Sequence, residues 1–123
     1  MSYGETDWVK AITKLIEMTS KREVTWDIFK DFEEDPWTVV DRAYVSQFDE
    51  KHYVVKASRY RYYTDEDDWS WAAKFEFEVY RKDESSQYLR IATAPELRIT
   101  SNLFSVVESS FAFKENALKG LLE

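Results

Sequence analysis

The chain has no cysteine, only two glycines (Gly4, Gly120), two prolines (Pro36, Pro95) and a single histidine, His52. Without cysteine there can be no disulfide, thiolate zinc site, iron–sulfur cluster or cysteine nucleophile. Two glycines so far apart cannot build a glycine-rich loop that cradles phosphates. No apolar run approaches the roughly 20 residues needed to span a bilayer. The opening MSYGETDWVK lacks a basic stretch followed by an apolar one, so a cleaved signal peptide is not expected. These absences lead to the expectation of a soluble, cytoplasmic protein with no membrane association and no resident cofactor or metal.

Aromatic side chains are abundant instead: 17% of the chain, with five Trp, eight Tyr and eight Phe. Such residues favour strands and bury much area each. Hydrophobic content of 44% against 33% charged, over 123 residues, predicts one globular domain spanning 1–123. The net charge of −7 disfavours direct binding of nucleic acid, which needs clustered Lys and Arg. It suits a basic protein partner, or simple solubility.

Periodicity predicts an α+β fold. Trp8, Ala11, Ile12, Leu15 and Ile16 make one apolar stripe, which marks a helix over 7–19 capped by Thr6 or Asp7. Alternation then marks strands at 23–29, 38–48, 52–63, 71–81 and 87–93, with Phe75, Phe77 and Val79 facing one way and Lys74, Glu76 and Glu78 the other. Acidic clusters at 31–35, 49–50, 65–68 and 83–84 fall between these runs, as the connections of a meander would. After Pro95 the pattern turns helical. It predicts 101–113 and 114–123 as two short helices or one bent helix, with Ser101 or Asn102 as the cap. The expected architecture is a five-stranded antiparallel meander with the N-terminal and C-terminal helices packed on one face.

The stretch RYRYYTDEDDWSW (59–71) concentrates arginines, aromatics and acids. A calcium loop starting at Asp65 fails, because the sixth position is Ser70 rather than glycine and the twelfth, Glu76, lies inside a strand. Asp65, Asp67 and Asp68 read more simply as a solvated turn. If strands alternate in direction, that turn shares one end of the sheet with Glu33, Glu34 and Asp35. A three-residue turn at 49–51 would set Val45 against Val55, Ala43 against Ala57 and Asp41 against Arg59. The next hairpin would set Ala57 against Phe77, Val55 against Val79 and Tyr63 against Trp71. Odd-numbered residues would then face the core on all these strands. Arg59 and Arg61 would share that face at its acidic end, where Asp41, Arg59, Arg61, Tyr63, Trp69 and Trp71 would gather. Arginine with aromatics has the composition of an interface hot spot. The plainer reading is a structural Asp41–Arg59 ion pair with rings packed beside it.

Catalysis finds little support: His52 reads as a surface residue at a strand end, and Ser109–Ser110 has no evident base. Taken together, a Trp8-to-Thr19 helix of the pattern W-x-x-x-I-x-x-L-I-x-x-T, the strand bearing Trp26, the segment YRYYTDEDD with Trp69 just beyond, and an apolar C-terminal helix resemble a diffuse group of small bacterial and prophage proteins without assigned activity. The resemblance implies a mobile-element or toxin–immunity setting, and carries over no activity or ligand. The leading expectation is a non-enzymatic module that binds a larger, basic protein as an inhibitor or immunity-type partner. The alternatives are a binder of a small anionic ligand or nucleotide through Arg59 and Arg61, and self-association through an exposed strand edge.

Overall fold

The computed structural model describes residues 1–32 and 34–122. Its elements are α1 (Glu5–Ser20), β1 (Asp27–Ile28), β2 (Thr38–Phe48), β3 (Lys51–Tyr63), β4 (Trp69–Lys82), β5 (Tyr88–Thr93) and α2 (Ile99–Lys114). The strands form one five-stranded sheet in the order β1-β2-β3-β4-β5, every neighbour antiparallel. The predicted α+β meander with a helix at each end of the chain is therefore the observed one.

Both helices lie on one face. Ile12, Leu15 and Met18 of α1 and Leu103, Phe104 and Val107 of α2 share a core with Tyr44, Val55, Phe77 and Val79. Helix α1 starts earlier than its stripe suggests. The Asp7 carboxylate reaches back to accept the Gly4 N–H at 2.9 Å, which makes Gly4 the cap in place of Thr6 or Asp7. Likewise α2 begins at Ile99, so Ser101 and Asn102 sit inside its first turn, where the Ser101 hydroxyl donates to the Arg98 carbonyl. It is one helix that stops at Lys114. Beyond it the chain makes turns through Asn116 (φ 57°) and Gly120 (φ 91°), so the second helix expected at 114–123 does not form, and Glu123 lies outside the described residues.

The strand expected at 23–29 shrinks to Asp27–Ile28. Val24 and Trp26 alternate because both plug the core from a connecting segment. The Trp26 indole donates to the Thr19 hydroxyl at 3.0 Å, which in turn donates to the Leu15 carbonyl.

The turn after β2 has two residues, not three. Asp49 and Glu50 both take left-handed backbone, φ 54° and 66°, and Phe48 pairs with Lys51. That geometry matches the twist of a hairpin, though neither residue is the usual glycine or asparagine. The register therefore shifts by one: Tyr44 faces Val55, Val45 faces Val54 and Ala43 faces Lys56. From Arg42 onward it is the even residues of β2 that meet the helices. Ala43 and Val45 turn instead to a second core with Phe29, Val54 and Tyr80 on the opposite face. The register of β3 against β4 differs from expectation by two residues, with Val55 on Phe77, Arg61 on Trp71 and Tyr63 on Trp69. An even shift leaves every side chain on its predicted face.

The face away from the helices is not simply solvated. Lys56 and Glu78 are buried there as an ion pair at 2.8 Å, and Glu78 also accepts from the Tyr80 hydroxyl (3.0 Å) and Arg90 (3.1 Å). His52 is buried on this face too, its ring edge-on to Tyr88 at 5.0 Å, which corrects its reading as a surface residue. Burial, helped by the charge of Lys82, holds its imidazole below the ordinary 6.5.

Candidate interaction surface at the open end of the sheet

Strand β3 has 13 residues, so at about 3.3 Å each it runs some 43 Å. Two helices of about 10 Å diameter laid across it cover roughly half of that length. Phe104 packs on Tyr44 and Phe75 (5.6 and 5.3 Å between ring centres) and Trp8 on Phe77 (6.1 Å). Along β3 and β4 the helix-side core reaches as far as Ala57 and Phe75. The remaining halves of both strands project past it.

On that projecting end the predicted cluster assembles. Asp41 is the residue that shifts the β2–β3 register between Val40 and Arg42. Past this bulge Val39, not Asp41, lies opposite Arg59. The pair forms nonetheless: Arg59 Nε lies 3.0 Å from each Asp41 carboxylate oxygen, and a terminal guanidinium nitrogen is 2.8 Å from one of them. Both side chains are more than two-fifths exposed, so the pair adds at most about 1 kcal/mol to stability. The Arg59 guanidinium also lies over Trp71 at 5.3 Å, while that of Arg61 lies over Trp69 at 4.7 Å and Trp71 at 5.8 Å. The two indoles meet edge to face at 5.2 Å. The arrangement is a ladder of alternating cations and rings, in which each indole offers its electron-rich face to a guanidinium. Among the described residues Arg61 has no carboxylate partner, and its Nε is buried without an acceptor.

Tyr63 joins the same face through Trp37, whose ring lies edge-on to it at 6.3 Å. Trp37 was missed by the sequence reading. The signal was its place after Pro36 in the acidic connection already assigned to this end. Asp35 accepts the Trp37 N–H at 2.8 Å, and the Trp37 carbonyl accepts the Arg61 N–H at 3.1 Å, which ties this connection to β3. Trp37, Val39, Tyr63, Trp69 and Trp71 are all exposed. Exposed aromatics gathered this densely are unusual for a surface without a partner.

The acidic turn stands at the tip. Thr64 donates its backbone N–H to the Asp68 carbonyl at 2.9 Å, and Asp65 caps the turn by accepting the Glu66 N–H at 2.7 Å. Asp65 thus has a structural role, while Asp67 and Asp68 are exposed beside the rings. Glu34 and Asp35, expected with them, line instead a cleft with Lys56, Lys74 and Arg90 on the face away from the helices, and Glu33 lies outside the described residues. Among the described residues no group of three or more histidines and carboxylates is placed to hold a metal ion, and no helix is long and apolar enough to cross a membrane.

At the border between this surface and the helices, Arg42 donates to the Tyr44 hydroxyl (3.2 Å), which donates to Glu108 of α2 (3.4 Å). Burial raises the Tyr44 phenol above its ordinary range, so it stays a neutral donor. Comparison with models of known families, with curated proteins and with solved structures finds no match to this chain.

Proposed function

We propose that the chain is a non-enzymatic protein-binding module, an inhibitor or immunity-type partner of a larger protein, and that it binds through the open end of its sheet. One observation carries this reading: Trp69, Trp71, Tyr63 and Trp37 stay exposed around two arginines instead of being covered by a helix. Aromatic centres with arginine and a charged rim are the usual composition of hot spots. The rim acids favour a partner whose surrounding surface is basic, and the interaction then weakens as salt rises. The test is affinity capture from the native host with the wild-type chain and with a Trp69→Ala, Trp71→Ala double variant of unchanged fold. Recovery of the partner is expected to fall by more than about tenfold, a loss above 1.4 kcal/mol. Equal recovery would sink the assignment.

Arg61 favours a second reading, in which its guanidinium, without a carboxylate partner among the described residues, takes a small anion or nucleotide. Arg59 contributes less to such a site because Asp41 already neutralises it. A thermal-shift screen with nucleotides separates the two readings, since a specific ligand raises the melting temperature by mass action. A flat screen removes the second.

A further inference from the structure

Between α1 and the β3–β5 side of the sheet lies a cleft of about 380 Å³, a volume at the lower end of the range for small-ligand pockets. Its floor is one cross-strand row, Tyr53 opposite Val79 and Val79 opposite Ala92, and Phe77 closes its inner end. Trp8 stands edge-on to Phe77 at 6.1 Å, and Tyr3 edge-on to Trp8 at 6.2 Å, which builds an aromatic wall from the helix side. Two features keep this space open. Ala11 of α1 and Ala92 of β5 put small side chains into its lining, where larger ones would fill it. The β4–β5 register also slips between Val79 and Tyr80, so Ile91 has no residue opposite it. A bulge of this kind re-aims side chains. Ile91 and Ala92 are consecutive residues that a regular strand would send to opposite faces, yet both line the cleft.

The cleft carries one charge of each sign, Asp7 and Lys51, and neither belongs to an ion pair among the described residues. One oxygen of Asp7 accepts the Gly4 N–H at 2.9 Å, and the other accepts nothing among the described residues. The indole N–H of half-buried Trp8 and the hydroxyl of half-buried Tyr53 likewise have no partner there, whereas the buried Trp26 indole has Thr19. We propose that this cleft binds a free α-amino acid with a large apolar side chain, of the leucine or phenylalanine class. The side chain lies on the Tyr53–Val79–Ala92 row between Trp8 and Ile91. Asp7 holds the ammonium, and Lys51 holds the carboxylate. A mainly apolar lining with a single charge of each sign disfavours simple anions and simple cations alike, because each meets one like charge. A purely apolar ligand leaves both charges unused, and the small volume suits one residue rather than a longer peptide. The cleft lies at the Asp49–Glu50 end of the β3–β4 hairpin, away from Trp69 and Trp71, so the inference is independent of the binding surface proposed above.

Isothermal titration calorimetry of the full chain with phenylalanine, leucine and glycine tests it. Saturable binding of phenylalanine and leucine is expected, with glycine weaker by at least about tenfold. N-acetyl-phenylalanine, which lacks the ammonium, and phenylalanine amide, which lacks the carboxylate, should each bind at least about tenfold more weakly than phenylalanine. Ala11 is exposed on α1 and leucine is a good helix former, so Ala11→Leu should fill the cleft and abolish binding while circular dichroism stays unchanged. Lys51→Met, at an exposed position outside the core, should weaken phenylalanine by about tenfold and leave the binding of its amide unchanged. Absence of saturable binding by either apolar amino acid overturns the proposal. So does binding that survives Ala11→Leu or Lys51→Met undiminished. N-acetyl-phenylalanine amide bound as tightly as free phenylalanine also overturns it, since the cleft would then suit a side chain of a protein partner.

Discussion

The β3–β4 hairpin carries large rings at both ends, and they meet different surroundings. Near the Asp49–Glu50 turn, Tyr53 and Phe77 stack at 6.1 Å beneath α1, with Phe77 1% exposed. At the other end Trp69 and Trp71 meet at 5.2 Å, each 41% exposed. The first pair is filled space in a core. The second pair is held by arginines above its rings, beyond Phe75 where the helix-side core ends. One hairpin thus divides its length between stability and surface, and the boundary falls where α2 ends its cover at Phe75.

The sharpest way to break this comparison is to truncate one ring from each end. Phe77→Ala should cost about 3–5 kcal/mol in chemical denaturation, the usual loss for a buried aromatic. Trp71→Ala should cost about 1 kcal/mol, because much of its surface already meets water. Equal losses would mean that the open end is part of the core.

The face away from the helices offers the next test. Glu78→Leu strands Lys56 in a buried site and should cost about 3 kcal/mol. Adding Lys56→Met removes the stranded charge, so the double variant should regain most of that loss. If the double variant is as unstable as the single one, the ion pair is a net source of stability rather than a satisfied burial.

A smaller effect follows from His52. Its imidazole is held below 6.5 by burial, so the fold keeps it neutral while the unfolded chain accepts the proton more readily. Its contribution is complete above pH 6.5 and declines as pH falls below that value toward the folded-state pKa. The melting temperature of the wild type should drop more steeply between pH 7 and pH 5 than that of His52→Gln, and parallel curves would contradict this. The smallest change belongs to the open end: Asp41→Asn should alter stability by less than about 0.5 kcal/mol, since the pair it breaks is exposed on both sides.

The strands and the helix-side core were legible because alternation and helical stripes survive in the sequence wherever one face is buried. The segment 23–29 misled because Val24 and Trp26 alternate for a different reason, both plugging the core from a connection. Register was illegible at Asp49–Glu50, where a two-residue turn is made from residues that carry no turn signal. The Lys56–Glu78 burial was hidden because charged residues ordinarily mark solvent. Arg59 and Arg61 were placed on the correct face because the β3–β4 error was even. Asp41 reached Arg59 although its predicted pairing was wrong, since the bulge at Asp41 lets it cross to the neighbouring strand.

That turn also bears on how the chain folds. Holding Glu50 in left-handed backbone costs about 1 kcal/mol, and no glycine or asparagine relieves it. The β2–β3 hairpin therefore gains nothing from its own corner in the unfolded chain. Its nucleus is expected to come from contacts distant in sequence, of Tyr44 and Val55 with the helices and of Val54 with Phe29 and Tyr80, which is a slow search. The corner at Asp49–Glu50 is expected to take native form after the rate-limiting step, so changes there should move the unfolding rate more than the folding rate.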